Sequence, residues 1–159
     1  MARKLTLAAV YEPLDIEVGG TVVHARVCVM PEARLRLAEA SRERQEEAVA
    51  ASKALKEAIA SGDVGAASRA RATLCDAVAP IVRLAIGDGA FGELCAACGC
   101  RDEKSPVEAT EALSAVLSEV GSIVRDVSAK TVPPEKAARY LTGARGAKPG
   151  AGSKGERAR

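Results

Sequence analysis

Between Leu14 and Val29 the chain reads LDIEVGGTVVHARVCV, and apolar and polar side chains alternate on both sides of Gly19-Gly20. Leu14, Ile16 and Val18 fall on one face, with Asp15 and Glu17 on the other. Val23, Ala25, Val27 and Val29 repeat the pattern on the return. A period of two is that of a half-buried strand, and a Gly-Gly link supplies the positive φ that both positions of a tight turn require. The spacing predicts a β-hairpin. A shorter strand is expected at Lys4–Leu7.

The period changes after Pro31, a residue suited to the first turn of a helix. From Glu32 to Ala60 no Pro or Gly interrupts a run of Ala, Glu, Arg, Lys and Leu, which predicts one long helix. Its seam is thin: Leu37, Ser41, Arg44, Ala48, Ala51, Leu55 and Ala58 recur at spacings of three and four. Ser61-Gly62-Asp63 offers a C-cap glycine followed by a fresh N-cap. A second helix is expected over about Val64–Ile86, with Leu74, Val78, Ile81 and Ala85 on one face and a kink at Pro80.

GDGAFG, Gly87 to Gly92, reads as a break, followed by a short helix that carries Phe91, Leu94 and Cys95 and stops at Gly99. Ser105-Pro106-Val107-Glu108 has the form of a capping box with Pro at the first position. Behind it Leu113, Val116, Leu117, Val120, Ile123, Val124 and Val127 make the cleanest amphipathic stretch, ended by Val132-Pro133-Pro134. Glu135 to Leu141 has room for two more turns, and the Gly, Pro, Ser and Lys content beyond Thr142 reads as disorder. The expected fold is α+β and mostly α. A β-hairpin element (1–30) joins a bundle of about four helices (31–142) in one unit, with a flexible basic tail (143–159).

Composition sharpens this picture. The 159 residues include one Phe, two Tyr and no Trp. Alanine therefore fills much of the core, drawing helices together while burying little area per residue. Such a protein is a candidate for completing its packing with a partner or with its own copies. No apolar run approaches the roughly 18–20 residues of a membrane span, and no signal peptide is read at Met1-Ala-Arg-Lys. With five cysteines, an odd number, the expectation is a cytosolic chain with reduced thiols. The net charge of +2 is uneven: residues 143–159 hold Arg145, Lys148, Lys154, Arg157 and Arg159 against Glu156 alone, a net +4. That leaves 18 basic and 20 acidic side chains in residues 1–142, a net −2. A body of that charge does not favour nucleic acid, although the tail can dock an acidic surface.

The densest candidate chemistry is ELCAACGCR, Glu93 to Arg101, with Cys95, Cys98 and Cys100 in six residues. Three readings are open: a zinc site completed by Cys75, with Cys28 and His24 as other fourth ligands; a redox switch; or cysteine filling core space as alanine does. Structural zinc asks for two ligand pairs, and only one Cys-x-x-Cys is present, so filler is favoured. His24, the only histidine, falls by alternation with Val22 and Arg26 on the more exposed strand face. Gly87-Asp88-Gly89 lacks the spacing of a phosphate or calcium loop and reads as a helix end and turn. Arg42 to Glu47 reads as a solvated, ion-paired helix face. No nucleophile–base set, paired acid/base carboxylates or nucleotide fingerprint appears, so neither an enzyme nor a cofactor is expected.

The order of segments resembles the small tail assembly chaperones of tailed bacteriophages and prophages. The likeness rests on the hairpin phrase IEVGGTVVHARV, the long charged helix PEARLRLAEASRERQEEAVAASKALKEAI, the turn with an aromatic in VRLAIGDGAFGEL, and the final helix EATEALSAVLSEVGSIVRD. It spans roughly residues 14–130. The resemblance implies a non-enzymatic protein of the host cytoplasm, absent from the mature virion, that binds the tape measure protein and assists assembly of tail tube subunits. Some relatives have a longer form made by frameshifting, and the tail lies where such an extension would join. Partner contacts are expected on the long helix at Leu37, Ala48 and Leu55 and on the last helix at Leu113, Leu117 and Val120. Two other readings stay open: a metal- or redox-responsive helical regulator built on the cysteines, with nucleic-acid binding by the tail as its output, and a structural minor tail or connector protein.

Overall fold

The computed structural model describes residues 2–5 and 10–130. Strands β1 (Tyr11–Val18) and β2 (Thr21–Cys28) form an antiparallel hairpin, followed by helices α1 (Pro31–Ser61), α2 (Val64–Ile86), α3 (Asp88–Ala97) and α4 (Thr110–Lys130). A single 3-10 turn, Val107–Ala109, leads into α4. This is the α+β, mostly helical architecture that the pattern predicts. The chain divides at Asp126, and of the unit beyond it the described residues are 127–130, the end of α4. Among the described residues no helix is long and apolar enough to cross a membrane.

The hairpin forms as read. Val18 pairs with Thr21 across Gly19 and Gly20, whose φ values of 53° and 88° few side chains tolerate. Leu14 opposes Ala25 and Ile16 opposes Val23, which places the apolar positions on one face; Val23, Ala25 and Val27 are buried there, where β2 packs on α2 and α3. The expected strand at Lys4–Leu7 is not formed at Lys4 and Leu5, which are exposed and irregular, and Thr6 and Leu7 lie outside the described residues.

α1 and α2 form an antiparallel helical hairpin linked through Gly62 and Asp63. Gly62 has φ 76°; its N–H bonds Ile59 O at 3.2 Å, and the Asp63 N–H bonds Ala58 O at 3.0 Å. This pair of bonds is a Schellman motif, which satisfies carbonyls that the helix end would leave free. Asp63 Oδ1 then accepts the Ala66 N–H at 3.0 Å, so one residue closes α1 and caps α2. At 1.5 Å per residue the 31-residue α1 is about 46 Å long, against about 34 Å for the 23-residue α2. α2 continues through Pro80, where a kink was expected, and buries Leu74, Cys75, Ala77, Val78, Ala79, Ile81, Val82, Ala85 and Ile86. In α1, by contrast, residues 38–50 include no buried side chain. That stretch is held by its own helix-forming composition and by local pairs such as Arg44–Glu47 at 3.8 Å.

Two helix starts differ from expectation. α3 begins at Asp88, inside the stretch read as a break. Only Gly87 (φ 88°) breaks the chain; Gly89 and Gly92 are helical, because burial of Phe91, Leu94 and Cys95 outweighs their poor propensity. The Ser105-Pro106-Val107-Glu108 capping box does not form either. Pro106 is buried at ψ 56°, outside the helical region, and the α-helix starts at Thr110 after the 3-10 turn, with the Thr110 hydroxyl donating to Val107 O at 2.7 Å. The largest fully buried side chains, Phe91, Leu94, Leu113, Val23, Val27 and Val82, come from β2 and three helices and define one core.

Candidate functional site

Two features of the fold carry chemistry or recognition, and they lie on different elements. The first is a groove of about 400 Å³ between α1 and α2, lined by Glu47, Ala50, Ala51, Ala54, Ala66, Arg69, Ala70 and Thr73. Its shape follows from the sequence. Alanine at every central position lets the two backbones approach but leaves no side chain to fill the space above the seam. Ala51 and Ala70 form the buried floor, Ala50 and Ala54 an exposed wall on α1 opposite the half-buried Ala66 of α2, and Glu47 and Arg69 carry opposite charges on the two sides.

The second feature is the thiol cluster at the end of α3. The helix closes with another Schellman motif: Gly99 (φ 78°) bonds Ala96 O at 3.1 Å, and the Cys100 N–H bonds Cys95 O at 3.0 Å. This closure folds Cys100 back toward Cys95, and the two thiols lie close enough for each to act on the other's pKa. Cys75 of α2 is fully buried, close to the Thr110 hydroxyl and within electrostatic reach of Cys100. Burial pushes every one of these thiols above its ordinary pKa. Cys95 goes up to about 12, with Cys100 adding to the effect of burial. In Cys100 burial leads and Glu108 adds to it, opposed in part by the neighbouring Cys95 thiol and Ala109 backbone. Cys98 is raised by burial alone.

The structure thus brings Cys75, Cys95, Cys98 and Cys100 to one end of α3, the four residues considered for zinc. Yet among the described residues no three His, Cys, Asp or Glu side chains are arranged to hold a metal ion. Cys28 is half-buried on β2 and His24 lies on the outer face of the hairpin, neither taking part in the cluster. His24 Nδ1 is 2.7 Å from Asp15 Oδ1, its cross-strand partner, with both side chains mostly exposed. Arg26 on the same face stacks over the Tyr11 ring at 4.8 Å.

Above the cluster, Arg83 of α2 links three segments. It pairs with Asp88 at 3.0 Å and Glu103 at 3.2 Å and covers the Phe91 ring at 4.9 Å. Gly87-Asp88-Gly89 is accordingly a helix junction in which Asp88 is an ion-pair partner of Arg83.

Of the positions expected to face a partner, Leu37, Leu55, Leu113 and Val120 are buried in the chain's own core, and Ala48 and Leu117 are half-buried. The exposed alanines that line the groove on α1 are Ala50 and Ala54. Sequence reasoning missed them because alanine carries little hydropathy signal. The repeat Glu47, Ala50, Ala54 at spacings of three and four was the available clue. The tail residues Arg145, Lys148, Lys154, Arg157 and Arg159 lie outside the described residues. No family model, curated protein or solved structure matches this chain.

Proposed function

We propose that this protein is a non-enzymatic assembly chaperone that receives a helical segment of its client in the groove between α1 and α2. The observation that carries this reading is the groove itself: an exposed alanine wall on α1 over a buried alanine floor, with Glu47 and Arg69 on opposite sides. Small side chains allow a third helix to approach closely, and an amphipathic helix can seat its bulky apolar residues there. The segment order from the IEVGGTVVHARV hairpin to the last amphipathic helix supports a more specific reading. The client is then the tape measure protein of a tailed phage or prophage, a long helical chain that the chaperone would hold, with tail tube subunits as a second partner. The protein would act in the host cytoplasm and be missing from finished particles, which separates this role from that of a minor tail or connector protein.

The test is co-expression with the tape measure protein of the same phage or prophage, comparing the native chain with Ala54→Trp. Trp at this exposed helical position costs roughly 0.5 kcal/mol of helix propensity and fills the groove. Co-purification with the native chain, lost for Ala54→Trp while its thermal melt stays within a few degrees, is the expected result. Equal binding by the variant would remove the groove from the mechanism. No co-purification with either would refute the tape measure reading.

A further inference from the structure

We propose that Cys95 and Cys100 form a thiol–disulfide exchange site, with Cys100 as the attacking thiol and Cys95 as the resolving one, for small-molecule disulfides of the glutathione class. The inference is independent of the groove and of any client.

The geometry selects this pair from the cluster. The backbone bond from Cys100 N to Cys95 O, 3.0 Å long, keeps the two Cα atoms within about 7 Å of each other. That overlaps the roughly 4.4–6.8 Å range that disulfides adopt. The two thiols lie close enough for each to act on the other's pKa. Cys95 and Cys98 are three residues apart at the end of α3, where helical geometry sets Cβ atoms about 5–6 Å apart. A disulfide needs about 3.5–4.5 Å, so bridging them would require the last turn to unwind. Cys75 is fully buried on a separate helix, α2.

The roles follow from access. Cys100 is half-buried and beyond the helix end, and burial with Glu108 raises its pKa, so its attack speeds up as pH rises. Cys95 is only 3 % exposed, so it meets no bulky disulfide from solvent but lies against whatever forms on Cys100. In the first step the Cys100 sulfur attacks one sulfur of the small-molecule disulfide. The old S–S bond breaks, and the departing thiolate takes up the proton that Cys100 released. In the second, the Cys95 sulfur attacks Cys100 in the mixed disulfide, a second small thiol leaves with the Cys95 proton, and the intramolecular bond closes. Two protein thiols are oxidised and one small disulfide is reduced to two thiols. The Schellman turn is already in place, so the bond staples the end of α3 without unwinding it.

The experiment is incubation of the folded full-length chain with oxidised glutathione, read by intact mass and thiol count. The same is done for the variants Cys95→Ala, Cys98→Ala, Cys100→Ala and Cys75→Ala, each checked for folding by circular dichroism. The expected product has lost two hydrogens and two thiols and carries no glutathione. It forms in the native chain, Cys98→Ala and Cys75→Ala; Cys95→Ala stops at the glutathione adduct on Cys100, and Cys100→Ala does not react at Cys95. An adduct that persists on Cys100 of the native chain would overturn the proposal. So would closure in Cys95→Ala at the native rate, or no reaction at Cys100 in the folded chain.

Discussion

The core of this protein depends on a single aromatic ring, and replacing Phe91 with Ala tests how far. Phe91 is 1 % exposed and the largest of the fully buried side chains. Truncating a buried Phe costs about 3–5 kcal/mol, the range reflecting how far the surroundings collapse. Here collapse is resisted, because the other large buried side chains sit on separate elements: Val23 and Val27 on β2, Val82 on α2, Leu94 on α3 and Leu113 on α4. The cost should fall in the upper half of the range, about 4–5 kcal/mol, including the roughly 0.5–1 kcal/mol lost with the Arg83 stack at 4.9 Å. Domains of this size have a total stability of roughly 5–15 kcal/mol, so the variant would keep little reserve. With no Trp and two Tyr, fluorescence reports the transition poorly, and urea unfolding is better followed by the helical circular-dichroism signal. At a urea slope of about 2 kcal/mol per M the midpoint should fall by roughly 2 M. Phe91→Leu, which keeps most of the volume, should lose less than about 1.5 kcal/mol. A Phe91→Ala loss below about 1.5 kcal/mol with an unchanged slope would refute the single-ring core.

Other substitutions probe the joints of the fold. Gly62→Ala has open space for its methyl group but forces a left-handed φ of 76°, so urea unfolding should show a loss of about 1–2 kcal/mol. Thr110→Val keeps the shape of a side chain 1 % exposed but removes the hydroxyl that donates to Val107 O; the same assay should show a loss of about 1–3 kcal/mol, with Thr110→Ser closer to native. Burial raises Cys95 from 9.0 to about 12, so the folded state holds that proton more tightly than the unfolded chain does. The stability this contributes is full below the unfolded value and is lost as pH rises between the two. Urea midpoints should therefore fall from about pH 9 upward, more shallowly in Cys95→Ala, and equal slopes for the two chains would count against a buried neutral thiol.

The local pattern along the chain was informative where one period and one turn determine an element. The hairpin needs only alternation and two glycines, and both appear in LDIEVGGTVVHARV. The Gly62-Asp63 junction is equally local, since both its caps are made within a few residues. The misread elements are those decided by distant contacts. GDGAFG breaks a helix by propensity, yet α3 starts at Asp88 because Phe91 and Leu94 are drawn into a core completed by β2 and α4. The Ser-Pro-Val-Glu phrase matches a capping box, yet Pro106 is buried and α4 starts four residues later. The cysteine cluster has the same character. ELCAACGCR is visible in the sequence, but the position of Cys75 beside Cys100 depends on how α2 packs, 20 residues upstream of Cys95. The groove was legible only as an excess of alanine, which does not say which alanines remain uncovered.

The stretch of α1 from residue 38 to residue 50, with no side chain in the core, has an evolutionary consequence. Substitutions there alter helix propensity by tenths of a kcal/mol and leave packing untouched, so they accumulate without endangering the fold. Glu47 and Ala50, at one end of the α1 side of the groove, belong to this permissive stretch, whereas Leu55, Ala58 and the buried face of α2 do not. The α1 side of the groove can therefore change in the middle of the helix while selection for foldedness acts on either side of it, at Leu37 and from Ala51 onward.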